Sequence, residues 1–117
     1  MPRMQYGMEG AMLDKTNEHL LDKPSIVQEV CCVCGARAQN NHHVIVKGMG
    51  GSKLAKRIPT VSLCGFGNTC GCHGDAHASK LHFDYRDGEW YYLKSDEPIG
   101  RIDAMKSDKW VRCFVDG

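Results

Sequence analysis

The stretch QNNHHVIV, residues 39–46, places two histidines side by side at the head of an apolar run. Its β-branched valines and isoleucine favour a β-strand, in which successive side chains point to opposite faces. His42 and His43 would then face apart, so they are poorly placed to bind one metal ion together. Taken alone, the pair is typical of two surface histidines at the end of a strand. Only the downstream sequence indicates that the two histidines have separate functional roles.

The segments that follow predict the order strand, strand, helix. The loop KGMGGSKLAKRIP contains three glycines, and TVSLC after it has the composition of a second short strand. CHGDAHASK, residues 72–80, predicts a helix because its alanines suit one and Asp75 favours the first turn. LHFDYRDGEWYYL then alternates around Asp87 and Gly88, which is a strong hairpin signal. Together these elements indicate an α+β fold.

The two ends of the chain are less strongly patterned. TNEHLLDK predicts a short accessory helix that ends before Pro24. The tail IGRIDAMKSDKWVRCFVDG predicts a second short helix that would place Ile102, Met105 and Trp110 on the core. The chain is accordingly divided into an accessory segment (residues 1–30), a core (31–85), and a C-terminal hairpin strand and tail that pack on that core (86–117).

The composition excludes several classes of protein. At 117 residues the chain is one domain. It is near the size at which small folds often need a bound metal or another cross-link for stability. The amino-terminal residues include no apolar run long enough for a signal peptide or a membrane span, which predicts a cytoplasmic protein with reduced thiols. The formal net charge of +1 argues against a protein that coats nucleic acid through bulk positive charge.

The remaining histidines suggest a metal site. His73 and His77 are four residues apart, which on a helix sets both imidazoles on one face. His42 supplies a third nitrogen if its strand lies against the helix, leaving coordination positions for a phosphate oxygen and water. His43, directed elsewhere by the pleat, is then free to take a proton from an attacking water. Three imidazoles accept Mg²⁺, Mn²⁺, Ni²⁺ or Zn²⁺, so the catalytic metal is left open.

The cysteines suggest a second, structural site. Cys31 and Cys34 form a Cys-x-x-Cys turn whose sulfurs can bind one zinc ion, completed by two later cysteines. The preferred pair is Cys64 and Cys72, with Cys70 as the alternative to Cys72. Such an ion would add folding energy that a small core lacks. The two cysteines left without a role are Cys32 and Cys113.

A basic loop lies between the two predicted strands. Residues 47–57 include four bases and no acid, and they are candidate phosphate contacts: Lys47, Lys53, Lys56 and Arg57. Contacts of this kind position the backbone without reading bases, so a loose sequence preference is expected. The same charges also fit an ordinary solvated loop.

These motifs together resemble those of the HNH endonucleases, the ββα-metal nucleases. The strings CVCG, HHVIVKGMGG and LCGFGNTCGCHGDAH occur in the family's order over residues 31 to about 85, and they are most similar to the small zinc-stapled phage and prophage type. The resemblance implies a ββα-metal core stapled by zinc. It also implies hydrolysis of DNA phosphodiester bonds, by nicking or by double-strand cleavage. The expected protein is a monomer or a homodimer that has no membrane partner. Phage terminase or packaging proteins are partners by family analogy only.

The family resemblance implies the same roles as the residue spacing. His42, His73 and His77 would be metal ligands and His43 the general base. The chain departs from the family at the middle asparagine, which usually orients the base and is replaced here by Pro59 and Thr60. Asn68 is a candidate substitute, although it lies in an insertion between two zinc cysteines. The alternative is a non-catalytic zinc module that binds nucleic acid or protein on the same scaffold.

Overall fold

The strand predicted at the histidine pair lies beside the strand that follows the basic loop. In the computed structural model, which describes residues 15–45, 54–67 and 69–116, β1 (Asn40–His43) runs antiparallel to β2 (Thr60–Leu63). β1 is shorter than the apolar run predicts. Its ladder ends where Val44 donates to the Pro59 carbonyl at 3.1 Å, because proline has no N–H to return a bond.

A short helix follows the two strands, as predicted. Helix α1 (Gly71–His77) begins one residue before the predicted range and ends three residues before its end. Ser79, two residues beyond α1, has a φ of 65°, a left-handed conformation that no helix continues through. The chain then turns directly into the second sheet.

The second sheet has three antiparallel strands. β3 (Leu81–Arg86) and β4 (Glu89–Lys94) form the predicted hairpin, whose turn at Asp87 and Gly88 has φ angles of 54° and 84°. Helix α2 (Arg101–Lys106) leads to β5 (Val111–Arg112), which pairs with β4. The protein is a small α+β domain with two antiparallel sheets and few helices. Across the described ranges, no helix has both the length and the apolarity needed to cross a bilayer.

One buried cluster joins the N-terminal segment to both sheets. Leu20, at the end of a 3-10 helix (Glu18–Leu20), is fully buried, and Ile26 bridges to Val61 of β2. The indole N–H of Trp90 donates to the Pro24 carbonyl at 2.6 Å. The described part of the first 30 residues therefore packs into the same core as the strands.

The prediction that Ile102 lies in the core is wrong. The side chain of Ile102 is 64 % exposed, whereas Ala104 is fully buried and Met105 and Trp110 are half-buried. The helix is anchored by Arg101, whose guanidinium donates to the Thr16 and Phe83 carbonyls. A polar anchor of this kind turns α2 so that its small alanine, not its isoleucine, meets the core.

A buried carboxylate links the N-terminal segment to the hairpin and α2. Asp84 is only 2 % exposed and accepts hydrogen bonds from His19 Nε2 and Arg86 Nε, each at 2.6 Å. The Arg101 guanidinium lies 3.6 Å from the same carboxylate. Burial alone would raise the pKa of Asp84, but Arg86, His19 and Arg101 together lower it. The carboxylate is therefore ionised and multiply paired.

Asp84→Asn is expected to destabilise the protein by about 1 to 3 kcal/mol, because a neutral amide replaces the buried carboxylate that accepts hydrogen bonds from His19 and Arg86. Asp22→Asn is the matched control, since Asp22 forms an exposed pair with Arg57 that water screens. Urea unfolding at pH 7 should show a much lower midpoint for the Asp84 variant than for the Asp22 variant. Equal midpoints would contradict the structural role of the buried carboxylate.

Candidate metal centres

Four cysteines from three parts of the chain meet beside the first sheet. They are Cys31 and Cys34 from the turn before β1, Cys64 after β2, and Cys72 in α1, and their Sγ atoms all lie within 4.8 Å of one another. Sulfurs bound to zinc at about 2.3 Å lie about 3.8 Å apart. The Cys34 and Cys64 sulfurs, 3.5 Å apart, match that spacing. The four cysteines could bind a structural metal such as zinc.

Cys70, the alternative ligand, lies outside this cluster. Its exposed thiol donates to the Phe66 carbonyl at 3.0 Å. The cysteines without an assigned role, Cys32 and Cys113, are both buried, and the contact with the Cys32 thiol, together with burial, raises the pKa of Cys113. The structure therefore brings together the preferred set and not the one that includes Cys70.

Backbone groups are already arranged around the cysteine sulfurs. The Val33 N–H lies 3.4 Å from Cys31 Sγ, and the Cys72 N–H lies 3.4 Å from Cys64 Sγ. The pKa of Cys31 is lowered to about 4 because the Cys72 thiol donates a hydrogen bond to its sulfur. The same contact raises the pKa of Cys72, so the two sulfurs form a thiol–thiolate pair, whereas the metal-binding form of each cysteine is the thiolate.

Three histidines meet at a second point, one of them next to Cys72 in the sequence. His42 of β1 and the α1 residues His73 and His77 each offer a nitrogen, and these nitrogens all lie within 4.8 Å of one another. The Nε2 atoms of His73 and His77 are 3.1 Å apart. Nitrogens bound tetrahedrally at 2.0 to 2.1 Å are separated by about 3.3 Å. The β1 strand and the α1 helix thus place three imidazoles around one point, as the sequence spacing predicts.

The loop before α1 fixes the orientation of His73. Its Nδ1 lies 2.6 Å from the Gly67 carbonyl, and its backbone N–H donates to the Cys64 carbonyl at 2.9 Å. A carbonyl only accepts, so Nδ1 carries the proton and Nε2 keeps a lone pair that faces His77. Backbone contacts of this kind orient metal-binding histidines. Gly67 belongs to the insertion between Cys64 and Cys72, and no motif in the sequence marks it as a contact of the site.

Two of the three histidines, His42 and His77, are held in their neutral form. Burial, together with smaller effects of charge on His73, His77 and His43, lowers the pKa of His42 to about 3. Burial and His73 also lower the pKa of His77. Neutral imidazole is the form that binds a metal, so at pH 7 these side chains need to release no proton.

His43 occupies the position next to this cluster on β1. It is half-buried and lies opposite Thr60 in the register, while His42 lies opposite Val61. Strand alternation directs the two imidazoles to opposite faces of β1. His43 is accordingly outside the three-histidine group, although its charge influences the pKa of His42.

The predicted phosphate contacts are described only in part. Lys47, Lys53 and the candidate base-orienting Asn68 lie outside the described residues. Lys56 is exposed, whereas Arg57 donates to both carboxylate oxygens of Asp22, with Nη2 at 2.6 Å from Oδ2. A phosphate would therefore have to compete with Asp22 for Arg57.

The chain matches no family model, no curated protein and no solved structure. The functional information in the structure consequently lies in the two clusters themselves, four cysteines and three histidines that are joined through consecutive residues of α1.

Proposed function

We propose that this protein is a metal-dependent endonuclease of the HNH type that hydrolyses DNA phosphodiester bonds. The observation that carries the proposal is the convergence of His42, His73 and His77 from an antiparallel strand pair and the following helix. A further histidine, His43, follows the first of these ligands directly on the same strand. This combination supplies both parts of a one-metal hydrolytic site, a cation-binding cluster and an adjacent base.

The chemistry follows from the residue types. A divalent ion bound by the three imidazoles would stabilise negative charge on the phosphate and on the leaving 3′-oxygen. His43 takes the proton from the attacking water. The Gly67 carbonyl holds His73 in the tautomer whose Nε2 is available, so part of the ligand geometry is fixed before substrate arrives. Zn²⁺, Ni²⁺, Mn²⁺ and Mg²⁺ are all candidates for this site.

The cysteine cluster has a structural role in this proposal. Zinc held by the four thiolates connects the turn before β1, the end of β2 and the start of α1. Cys72 and His73 are consecutive, so the ion that stabilises the fold also fixes the position of a catalytic-metal ligand. The four-sulfur cluster also favours a metal site over a thiol redox function for the CVCG motif.

DNA would approach through the basic loop. Lys47, Lys53 and Lys56 provide charge for flanking phosphates, and Arg57 joins them if phosphate displaces Asp22. Phage terminase or packaging proteins remain partners by family analogy.

A non-catalytic zinc module on the same scaffold is the second candidate. The observation in its favour is that Pro59 and Thr60 stand where the family has its base-orienting asparagine. Thr60 lies opposite His43 in the strand register, so the departure falls beside the proposed base. A module of this kind would bind nucleic acid or protein and retain the zinc cluster without turnover.

Incubation with supercoiled plasmid separates the two candidates. The nuclease should convert the plasmid to nicked or linear DNA with added Mg²⁺, Mn²⁺ or Ni²⁺, and a chelator too weak to remove cysteine-bound zinc should stop the reaction. Circular dichroism in the chelator serves as the control that the fold is retained. Intact plasmid with every metal, from a folded zinc-containing protein, would refute the nuclease and favour the module.

A further inference from the structure

In the loop between β2 and α1, the backbone of three successive residues is held in place by hydrogen bonds. Gly65 accepts a hydrogen bond from the Asn40 side chain, and its N–H donates to Gln39 Oε1 at 2.7 Å. The Phe66 carbonyl accepts from Cys70 Sγ at 3.0 Å, and the Gly67 carbonyl lies 2.6 Å from His73 Nδ1. This loop segment, residues 65–67, is therefore fixed to β1 and to α1.

Glycine is required where this segment meets the helix. Gly65 has a φ of 112°, and a side chain there would overlap the Cys70 carbonyl. Gly71 has a φ of 63° and would meet Cys64 and Gly65 in the same way. Both angles lie in the region that favours glycine, so the sequence is adapted to this tight approach of the two chain segments.

The side chain of Phe66 is left in solvent by this arrangement. It is 73 % exposed, the highest value among the large exposed hydrophobic residues of the described ranges. Burying a phenylalanine side chain would stabilise the fold, and this position forgoes that stabilisation. A ring on a fixed backbone loses little conformational entropy when it binds a partner, so the placement suits recognition better than stability.

Phe66 also lies next to the histidine cluster. It precedes Gly67, whose carbonyl contacts a proposed metal ligand, so its backbone is one residue away from a contact of the site where the scissile phosphate would bind. In a DNA strand, every phosphodiester is flanked by two nucleobases. An aromatic ring stacks on the face of a base, which is accessible in a single strand and covered by its neighbours in a duplex.

We propose that Phe66 stacks on an unpaired nucleobase beside the cleaved phosphate and so favours single-stranded or locally unpaired DNA over intact duplex. The inference rests on the proposed nuclease function and specifies its substrate class. It assigns a binding role to the insertion between Cys64 and Cys72, which otherwise only departs from the family pattern.

The test compares Phe66→Ala and Phe66→Trp with Phe114→Ala, a matched loss of an exposed ring on the C-terminal tail. Affinity is measured by fluorescence anisotropy on a labelled single strand and on its duplex, in the His43→Ala background so that DNA stays intact. Phe66→Ala should weaken single-strand binding about 5- to 150-fold, the range expected for one base stack. Phe66→Trp should retain affinity, and its fluorescence should be quenched by the single strand.

The outcomes separate this inference from the proposed function. Single-strand affinity that is unchanged by Phe66→Ala, or is equally weakened by Phe114→Ala, would overturn the stacking role even if the unmodified protein nicks plasmid. Failure of the unmodified protein to nick plasmid, combined with no binding to either DNA form, would refute both proposals. Phe66 is exposed, so loss of the fold is not expected, and circular dichroism of each variant checks this.

Discussion

Cys31→Ser is expected to leave most of the chain unfolded at 25 °C, even with one equivalent of zinc present. The Cys31 side chain is fully buried, and its sulfur lies among the four that could bind the metal. Structural zinc contributes about 10 to 16 kcal/mol in small zinc domains, whereas a whole domain is stable by only about 5 to 15 kcal/mol. Serine is close in size but binds zinc weakly, so the variant loses metal energy without a large change in packing.

Zinc content and circular dichroism provide the measurement, with Cys70→Ser as the matched control. The Cys70 thiol is exposed and donates to the Phe66 carbonyl, a bond that a serine hydroxyl can replace. The control should retain one tightly bound zinc and the native spectrum. A Cys31 variant that stays folded with zinc bound, or a Cys70 variant that loses zinc, would contradict the ligand set.

Local sequence signals predicted the elements that carry the candidate site. The composition of TVSLC marks β2 and the Asp87-Gly88 pair marks the hairpin, because both signals depend on neighbouring residues alone, whereas the β-branched run that predicted β1 begins just beyond its last residue, His43. The spacing of His73 and His77 places two imidazoles together on any helix, independently of the rest of the fold. The antiparallel pairing of β1 with β2 then brings His42 to them.

Contacts between distant segments could not be predicted in this way. The Gly67 carbonyl reaches His73 only because Gly65 and Gly71 allow two backbone segments to approach, and no periodic pattern reports such an approach. The alternating pattern of the hairpin predicts that Asp84 is a polar residue of its strand. It does not predict that His19 and Arg101, from remote segments, pair with this carboxylate. The exposure of Ile102 has the same origin, since a distant carbonyl anchors its helix.

His43→Ala is expected to lower the rate of plasmid nicking about 10²- to 10⁴-fold, the usual effect of removing a positioned general base. The residue lies on a strand whose ladder is formed by backbone groups, so the fold should be retained. It is also outside the three-histidine cluster, so metal affinity should change little. Raising the pH should restore part of the rate, because hydroxide then replaces the missing base.

His77→Ala is the contrasting variant, because it tests a ligand and not the base. His77 is exposed at the end of α1 and its Nε2 lies 3.1 Å from that of His73, so its loss should weaken binding of the second metal while leaving the cysteine-bound zinc in place. Isothermal titration with Mn²⁺ or Ni²⁺ separates the two effects. The assignment predicts that the His43→Ala variant cleaves slowly but binds the metal with normal affinity. It predicts that the His77→Ala variant binds the metal weakly. A fast His43→Ala enzyme would require that another group activate the water.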